Sequence, residues 1–225
     1  MAPQPIIQTG ALTVRPLVPA DVAALHAAGQ DEAIERYTSI PWPFTPEAAQ
    51  ALIADAMAGW EAGTVARCAI TERGDAGEAF LGTVSLLHIF PERADAEVGY
   101  WLAAGRGRGL ARVAVGALCD WALGPFGLRR LHLLTDQDNT ASQRLARACG
   151  FHANGTTLWR HPTDPQKDAL CLLFEREAGG TATTSAGSRR GADSMDATGP
   201  PARAQATPSI LRSSWGSARN RTLRA

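Results

Sequence analysis

Lysine is almost missing from this chain: among 225 residues only Lys167 carries one. That excludes a GxxxxGK[ST] nucleoside-triphosphate loop, whose lysine must reach the β- and γ-phosphates. Cysteine is also scarce. Cys68, Cys119, Cys149 and Cys171 stand far apart, with no CxxC and no histidine pair at ligand spacing. Neither a disulfide framework nor a metal centre is expected, and the four read as small buried side chains. No apolar run approaches the roughly 18–20 residues that cross a bilayer, and the opening MAPQPIIQTG has neither a basic region nor an apolar signal core. A cytoplasmic protein without a membrane partner is the expectation.

Net charge is lacking as well, at a formal +0, but the zero is a sum of two unlike parts. Residues 1–177 hold 15 Lys+Arg against 20 Asp+Glu, giving −5; residues 178–225 hold seven Arg against Asp193 and Asp196, giving +5. An acidic body is unsuited to a phosphate backbone, so direct nucleic-acid binding by the core is not expected. Residues 178–225 have no apolar periodicity and are dense in Gly, Ser, Thr, Pro and Ala, the composition of a disordered, arginine-containing tail. With 45% hydrophobic and 20% charged residues overall, residues 1–177 suffice for one folded domain.

What is present is an ordered series of strand and helix patterns. ALTVRPL alternates as a strand, and a helix follows Pro19, with Asp21 at its positive end. YTSIPWPF carries two prolines and reads as an extended connection. Thr45, Pro46 and Glu47 mark the start of the next helix: a cap, a proline at the first helical position, an acid in the first turn. VARCAITER and AFLGTVSLLHI, joined by GDAG, are strands two and three, and AEVGYWL is the fourth. A helix then presents Leu110, Ala114, Ala117, Leu118 and Trp121 on one side, with Arg112, Gly116 and Asp120 opposite. RRLHLLTD is the fifth strand. NTASQRLARACGF is a short helix capped by Asn139 and closed at Gly150, and NGTTLWR and DALCLLFE form a last antiparallel pair.

The stretch EVGYWLAAGRGRGLARVAVGALCDWAL joins the fourth strand to the long helix. At such a junction the first helical amides lack partners and the helix dipole leaves about half a positive charge, so an anion is favoured. Gly105, Gly107 and Gly109 let the backbone turn tightly and approach a ligand, while Arg106, Arg108 and Arg112 add positive charge. A glycine turn with solvated arginines is the rival reading. A dinucleotide loop does not fit, because counting GxGxxG from Gly105 puts Leu110 at the third glycine.

Arg106, Gly109 and Ala111 match [RQ]xxGx[GA], and the sequence here resembles the acetyl-CoA motif of the GNAT N-acetyltransferases. TVRPL, EVGYWL, RGRGLA, DNTASQRLARACGF and the closing LLFE are similar, in that order, to the RimL and RimJ type of ribosomal-protein N-terminal acetyltransferase. The resemblance implies an α/β (α+β) GNAT fold: a mixed, mostly antiparallel sheet with helices on both faces and a splay between the fourth and fifth strands. It implies acetyl-CoA as acyl donor, with the pyrophosphate on the amides of Arg106, Gly107, Arg108, Gly109, Leu110 and Ala111 and the pantetheine arm in the splay.

Acyl transfer to an amine needs the amine neutral, and an ammonium of pKa roughly 8–10 must first lose a proton. Glu97 is the candidate base, sharing a strand face with Gly99 and Trp101; a solvated strand-edge carboxylate is its rival reading. A backbone N–H near Trp101 or Leu102 would stabilise the developing oxyanion. Many family members carry a tyrosine acid where this chain has Ala146, so the resemblance offers Ser142 instead; helix capping is its alternative role. Asn139 is expected to bond the pantetheine amides as well as cap its helix. Trp42 and Phe44 are candidates to wall the acceptor pocket, against plain aromatic packing. No histidine is assigned a catalytic role. The acceptor would be a small-molecule amine or a protein N-terminal α-amine, with pairing into a homodimer left open. A noncatalytic acyl-CoA-binding sensor is the alternative function.

Overall fold

The computed structural model describes residues 4–75, 77–161, 166 and 168–179. Of the expected tail, only 178 and 179 fall within them; the rest lies outside the described residues.

Eight strands form one sheet in the order β1-β2-β3-β4-β5-β6-β8-β7. They are β1 (Ile7–Thr9), β2 (Leu12–Pro16), β3 (Ala66–Gly74), β4 (Gly77–Phe90), β5 (Asp95–Leu102), β6 (Arg130–Asp136), β7 (His152–Trp159) and β8 (Ala169–Glu177). Neighbours are antiparallel except β5 and β6, which run parallel across the α4 crossover. The helices are α1 (Val22–Ala28), α2 (Glu32–Tyr37), α3 (Pro46–Glu61), α4 (Leu110–Leu123) and α5 (Thr140–Ala148).

Two apolar clusters sandwich the sheet. One gathers Cys68, Ile70, Val84, Val98, Leu131 and Phe174 with the inner residues of α4 and α5. The other gathers Ala69 and Trp101 with Leu25, Ile34, Ile53 and Phe44 from α1 to α3 and their connections. The strand period of two sends Ala66, Cys68 and Ile70 to the first cluster and Ala69 to the second. It likewise sends Val98 and Leu102 to the first and Trp101 to the second.

Local signals act as the sequence predicts. Thr45 Oγ1 accepts from the Ala48 amide at 3.2 Å at the start of α3, and Asn139 Oδ1 from the Ser142 amide at 3.0 Å at the start of α5. Three features depart from expectation. The chain makes the extra strand β1, which adds to β2 through a turn at Gly10. Glu32–Tyr37 forms α2, where no helix was expected; Asp31 caps it, its Oδ1 accepting from the Ala33 amide at 2.8 Å. Six residues are too few to show a periodic pattern in sequence. In α4 the buried stripe is Ala114, Val115, Leu118, Cys119 and Ala122. It is rotated from the expected one because the sheet below, rather than the most apolar line of the helix, sets which side is covered.

Candidate active site

The opening in the sheet is set by strand register. β5 and β6 pair only at Asp95↔Arg130, Ala96↔Leu131 and Glu97↔His132, and beyond that point the two strands part. The Ala103 amide donates to Leu81 O of β4 at 2.9 Å. Backbone groups alternate sides along a strand, so Trp101 also turns to β4, while Val98, Tyr100 and Leu102 turn their amides toward the gap. Of the two residues expected to offer an N–H there, Leu102 therefore faces the gap and Trp101 does not. Gly82 permits the close approach of β4 at this place: a Cβ on it would sit 2.1 Å from Trp101 O.

The glycine loop closes the gap's open end. Gly105, Gly107 and Gly109 have φ of 72°, 81° and 77°, so the backbone alternates between left-handed glycines and their neighbours, the pattern that forms an anion-binding concavity. Gly109 is the N-cap of α4 and offers no side chain, and the first intrahelical bond runs from the Val113 amide to Gly109 O at 3.2 Å. The amides of Leu110, Ala111 and Arg112 are thus without helical acceptors. A Cβ built on Gly107 or Gly109 meets nothing within 4 Å, so there is room for a ligand against both. The residues fit a pyrophosphate.

The loop arginines are tied to carboxylates. Arg106 donates through Nε to Leu102 O at 2.7 Å and through a terminal nitrogen to Asp31 Oδ2 at 2.8 Å, fastening the loop to the start of α2. Arg108 forms a two-pronged pair with Glu72 of β3, at 2.9 and 2.6 Å. These hydrogen bonds hold the carboxyls of Asp31 and Glu72 below their usual range. The backbone, more than free guanidinium charge, supplies the loop's attraction for an anion.

On the α1–α3 face, Glu97 occupies the last paired position before the strands separate. Its Oε2 lies 3.4 Å from His88 Nδ1. The register of β4 against β5 shifts between Leu87 and Phe90, and within that bulge His88 adopts φ +49°, a left-handed conformation costing a non-glycine residue roughly 1–2 kcal/mol. The strained backbone aims the imidazole at Glu97. His132, opposite Glu97, lies with its Nε2 3.7 Å from Asp95 Oδ2 and its Nδ1 3.2 Å from Glu175 Oε1, and that Nδ1 is buried without an aligned hydrogen-bond partner among the described residues. Sequence pattern assigned no histidine a role, because neither a bulge nor a cross-strand neighbour is visible in it.

On the α4–α5 face, Ser142 is buried in the first turn of α5, with its side chain near the phenol of Tyr100. Burial pushes the Tyr100 phenol up, and the nearby Ser142 side chain opposes that rise. Asn139 Oδ1 is used in capping, as noted. Ser142 and Glu97 therefore approach the gap from opposite faces of the sheet. Of the residues expected to wall an acceptor pocket, Phe44 is fully buried against Gly29, where a Cβ would lie 2.2 Å from Phe44 Cδ1; it is a core residue with no open face. Trp42 is 41% exposed. The four cysteines are free and buried, and burial lifts the thiols of Cys68 and Cys119 to about 12.

A mixed sheet split between two parallel strands, with an amide-lined glycine loop at the split, has the shape to take a ligand with a diphosphate and an extended arm. Residues 11–152 match the acetyltransferase (GNAT) domain, and the chain belongs to the GNAT acetyltransferase family. It is an acetyl-CoA-dependent acyltransferase. It is 27% identical over 177 residues to the uncharacterized N-acetyltransferase YoaA of Bacillus subtilis strain 168, covering 77% of this chain and 99% of that protein. Its fold is similar to that of RimL, a ribosomal L7/L12 alpha-N-protein acetyltransferase solved with coenzyme A, at TM-score 0.65 and 20% identity over 76% of this chain and 97% of RimL. It is also similar to the ribosomal-protein-S5-alanine acetyltransferase of Vibrio fischeri, at TM-score 0.67 and 18% identity over 78% and 98%. At these identities the two solved structures speak for the fold.

Proposed function

We propose that this protein acetylates a primary amine, with Glu97 as the base and the loop 106–111 as the pyrophosphate cradle. The observation that carries the reading is the end of β5–β6 pairing at Glu97↔His132, which leaves strand amides facing a gap flanked by a carboxylate on one side and a hydroxyl on the other. Bound acetyl-CoA supplies the acyl group as a thioester. The chain's residues do the rest. Amides of Leu110 and Ala111 hold the diphosphate, and backbone groups of Val98 and Tyr100 pair with the pantetheine arm as an added strand would. Glu97 takes a proton from the incoming ammonium and His88 passes it toward solvent. The Leu102 amide faces the charge that develops on the thioester oxygen. Ser142, near Tyr100, donates toward the departing sulfur. Asn139 Nδ2 is left for a pantetheine carbonyl, since the cap uses only Oδ1.

The acceptor is an amine on a small molecule or a protein N-terminus, reached from the α1–α3 face beside Trp42. Release of free thiol from acetyl-CoA, measured across a panel of amines and peptides, tests this directly. Turnover with at least one acceptor is expected. Tight coenzyme A binding with no acetylation of any amine would instead support an acyl-CoA sensor.

A further inference from the structure

Beyond Glu97↔His132 two hydroxyl-bearing residues flank the split from its two sides. Carried three residues on, the parallel register sets Tyr100 of β5 level with Thr135 of β6. The strand period puts both side chains on the α4–α5 face: Val98, Leu102, Leu131 and Leu133 lie in the cluster on that side, and Tyr100 packs against it. Exposure rises along both strands in the same direction. It goes from Leu131 at 0% through Leu133 at 1% to Thr135 at 4%, and from Ala96 at 1% and Val98 at 2% to Leu102 at 7%. On this face the sheet begins to open at the level of Tyr100 and Thr135, where the strands are no longer paired.

A third hydroxyl reaches the same place from α5. Gln143 Nε2 donates to Gln137 O at 2.8 Å, and the Asn139 amide donates to Asp136 O at 3.0 Å, so the first turn of α5 is fastened to the end of β6. The adjoining Ser142 is thereby held beside β6, with its side chain near the Tyr100 phenol. Thr135 itself is poorly satisfied. It is buried, and its Oγ1 stands 3.5 Å from Asp136 O, beyond the roughly 2.5–3.0 Å of an O–H···O hydrogen bond. A buried hydroxyl with so weak a bond is costly unless a ligand completes it.

Resting on the acetyl-transfer reading above, we infer that Thr135 is a further hydrogen-bond donor to the sulfur of the acyl donor, which lies between β5 and β6 at the level of Tyr100. In the transfer, the amine nitrogen bonds to the thioester carbon and the C–S bond breaks, its electron pair passing to sulfur. The first proton of the ammonium goes to Glu97, and the second leaves nitrogen for the sulfur by way of Ser142. Thr135 keeps its own proton and donates a hydrogen bond to the sulfur while the sulfur carries charge, when such a bond is strongest. The amine then arrives on the α1–α3 face, beside Glu97, and the thiol departs on the α4–α5 face.

The test removes the sulfur and the hydroxyl in turn. Calorimetry at about pH 9, near the range in which thiols ionise, compares coenzyme A with desulfo-coenzyme A, in which hydrogen replaces the thiol. The parent is expected to bind coenzyme A roughly tenfold more tightly than the desulfo compound. Thr135→Val should lose most of that preference while keeping the parental affinity for desulfo-coenzyme A, and Thr135→Ser, which retains the hydroxyl, should keep it. With the best amine of the panel, kcat should fall roughly tenfold in Thr135→Val and recover in Thr135→Ser, with KM for acetyl-CoA within a few-fold. Thr135→Ala, compared with Thr135→Ser, serves the same purpose if the valine variant does not fold. Equal affinity of the parent for the two nucleotides, or a preference and kcat unchanged in Thr135→Val, overturns the inference while acetyl transfer stands. A fall in kcat with the sulfur preference intact also overturns it, since Thr135 would then serve structure alone. If no amine is acetylated, the function reading fails and the binding comparison by itself decides the inference.

Discussion

At the scale of single residues, two carboxylates show opposite uses of the same group. Asp21 is structural. Its two oxygens receive both terminal nitrogens of Arg15 at 2.8 Å, and the Val18 amide adds a third bond at 2.9 Å. Burial would raise its pKa, but these bonds outweigh that and hold it below the usual carboxylate range. A depressed folded value means the stabilisation is present above the unfolded pKa and is lost as pH falls through the folded one. Asp21→Asn should therefore cost about 2 kcal/mol near pH 7. The gap from the parent should close as the pH falls below the ordinary carboxylate range; thermal melts from pH 7 down to acid would read it, and a pH-independent gap would refute the pairing. Glu97 is the proposed base, with His88 beside it. Glu97→Gln should lower kcat by roughly 10²–10⁴-fold at neutral pH. The deficit should shrink as pH approaches the pKa of the amine, where the nucleophile is already neutral. A constant deficit across a kcat/KM pH profile would remove Glu97 as base.

At the scale of elements, the loop between β5 and α4 is the proposed donor site, and what it offers an anion is mainly backbone. Its glycines occupy left-handed conformations, and its arginines are committed to Asp31 and Glu72. Gly109→Glu places a carboxylate where the diphosphate is to lie and forces a side chain into φ +77°, at roughly 1–2 kcal/mol of local strain. Coenzyme A affinity should fall beyond detection by calorimetry with circular dichroism unchanged, and retained affinity would move the site elsewhere. The parting of β5 and β6 is the other element-scale device. A strand edge released inside a sheet offers unpaired amides and carbonyls to an extended ligand. The bulge that strains His88 and the bulge that sets Gly82 against Trp101 both lie on β4, so one strand shapes both ends of the β5 segment lining the gap.

At the scale of the whole molecule, the folded body is a sheet with an apolar cluster on each face, and a ligand held in its gap bridges β5, β6 and α4. Binding to the native state alone stabilises by mass action, about 2.7 kcal/mol at a concentration 100 times Kd. For a domain of this size that raises Tm by roughly 5–10 °C. Differential scanning fluorimetry with coenzyme A should show this rise in the parent and in Glu97→Gln but not in Gly109→Glu. Loss of the rise in both variants would mean that Glu97 serves folding or donor binding, not proton transfer.

The order of strands and helices, the caps at Thr45 and Asn139 and the glycine loop were legible in the sequence because each rests on local physics: the period of the side chains, an unpaired amide, a φ that only glycine adopts cheaply. The short α2 and β1 were not, being too brief to show a period. Nor could sequence tell Trp42 from Phe44, since burial depends on what lies across the core: Phe44 is wedged on Gly29, just past the end of α1. The meetings of His88 with Glu97 and of Tyr100 with Ser142 were decided only by tertiary structure. They arise from register and pleat between strands distant along the chain, where a shift of one residue would send each side chain to the opposite face.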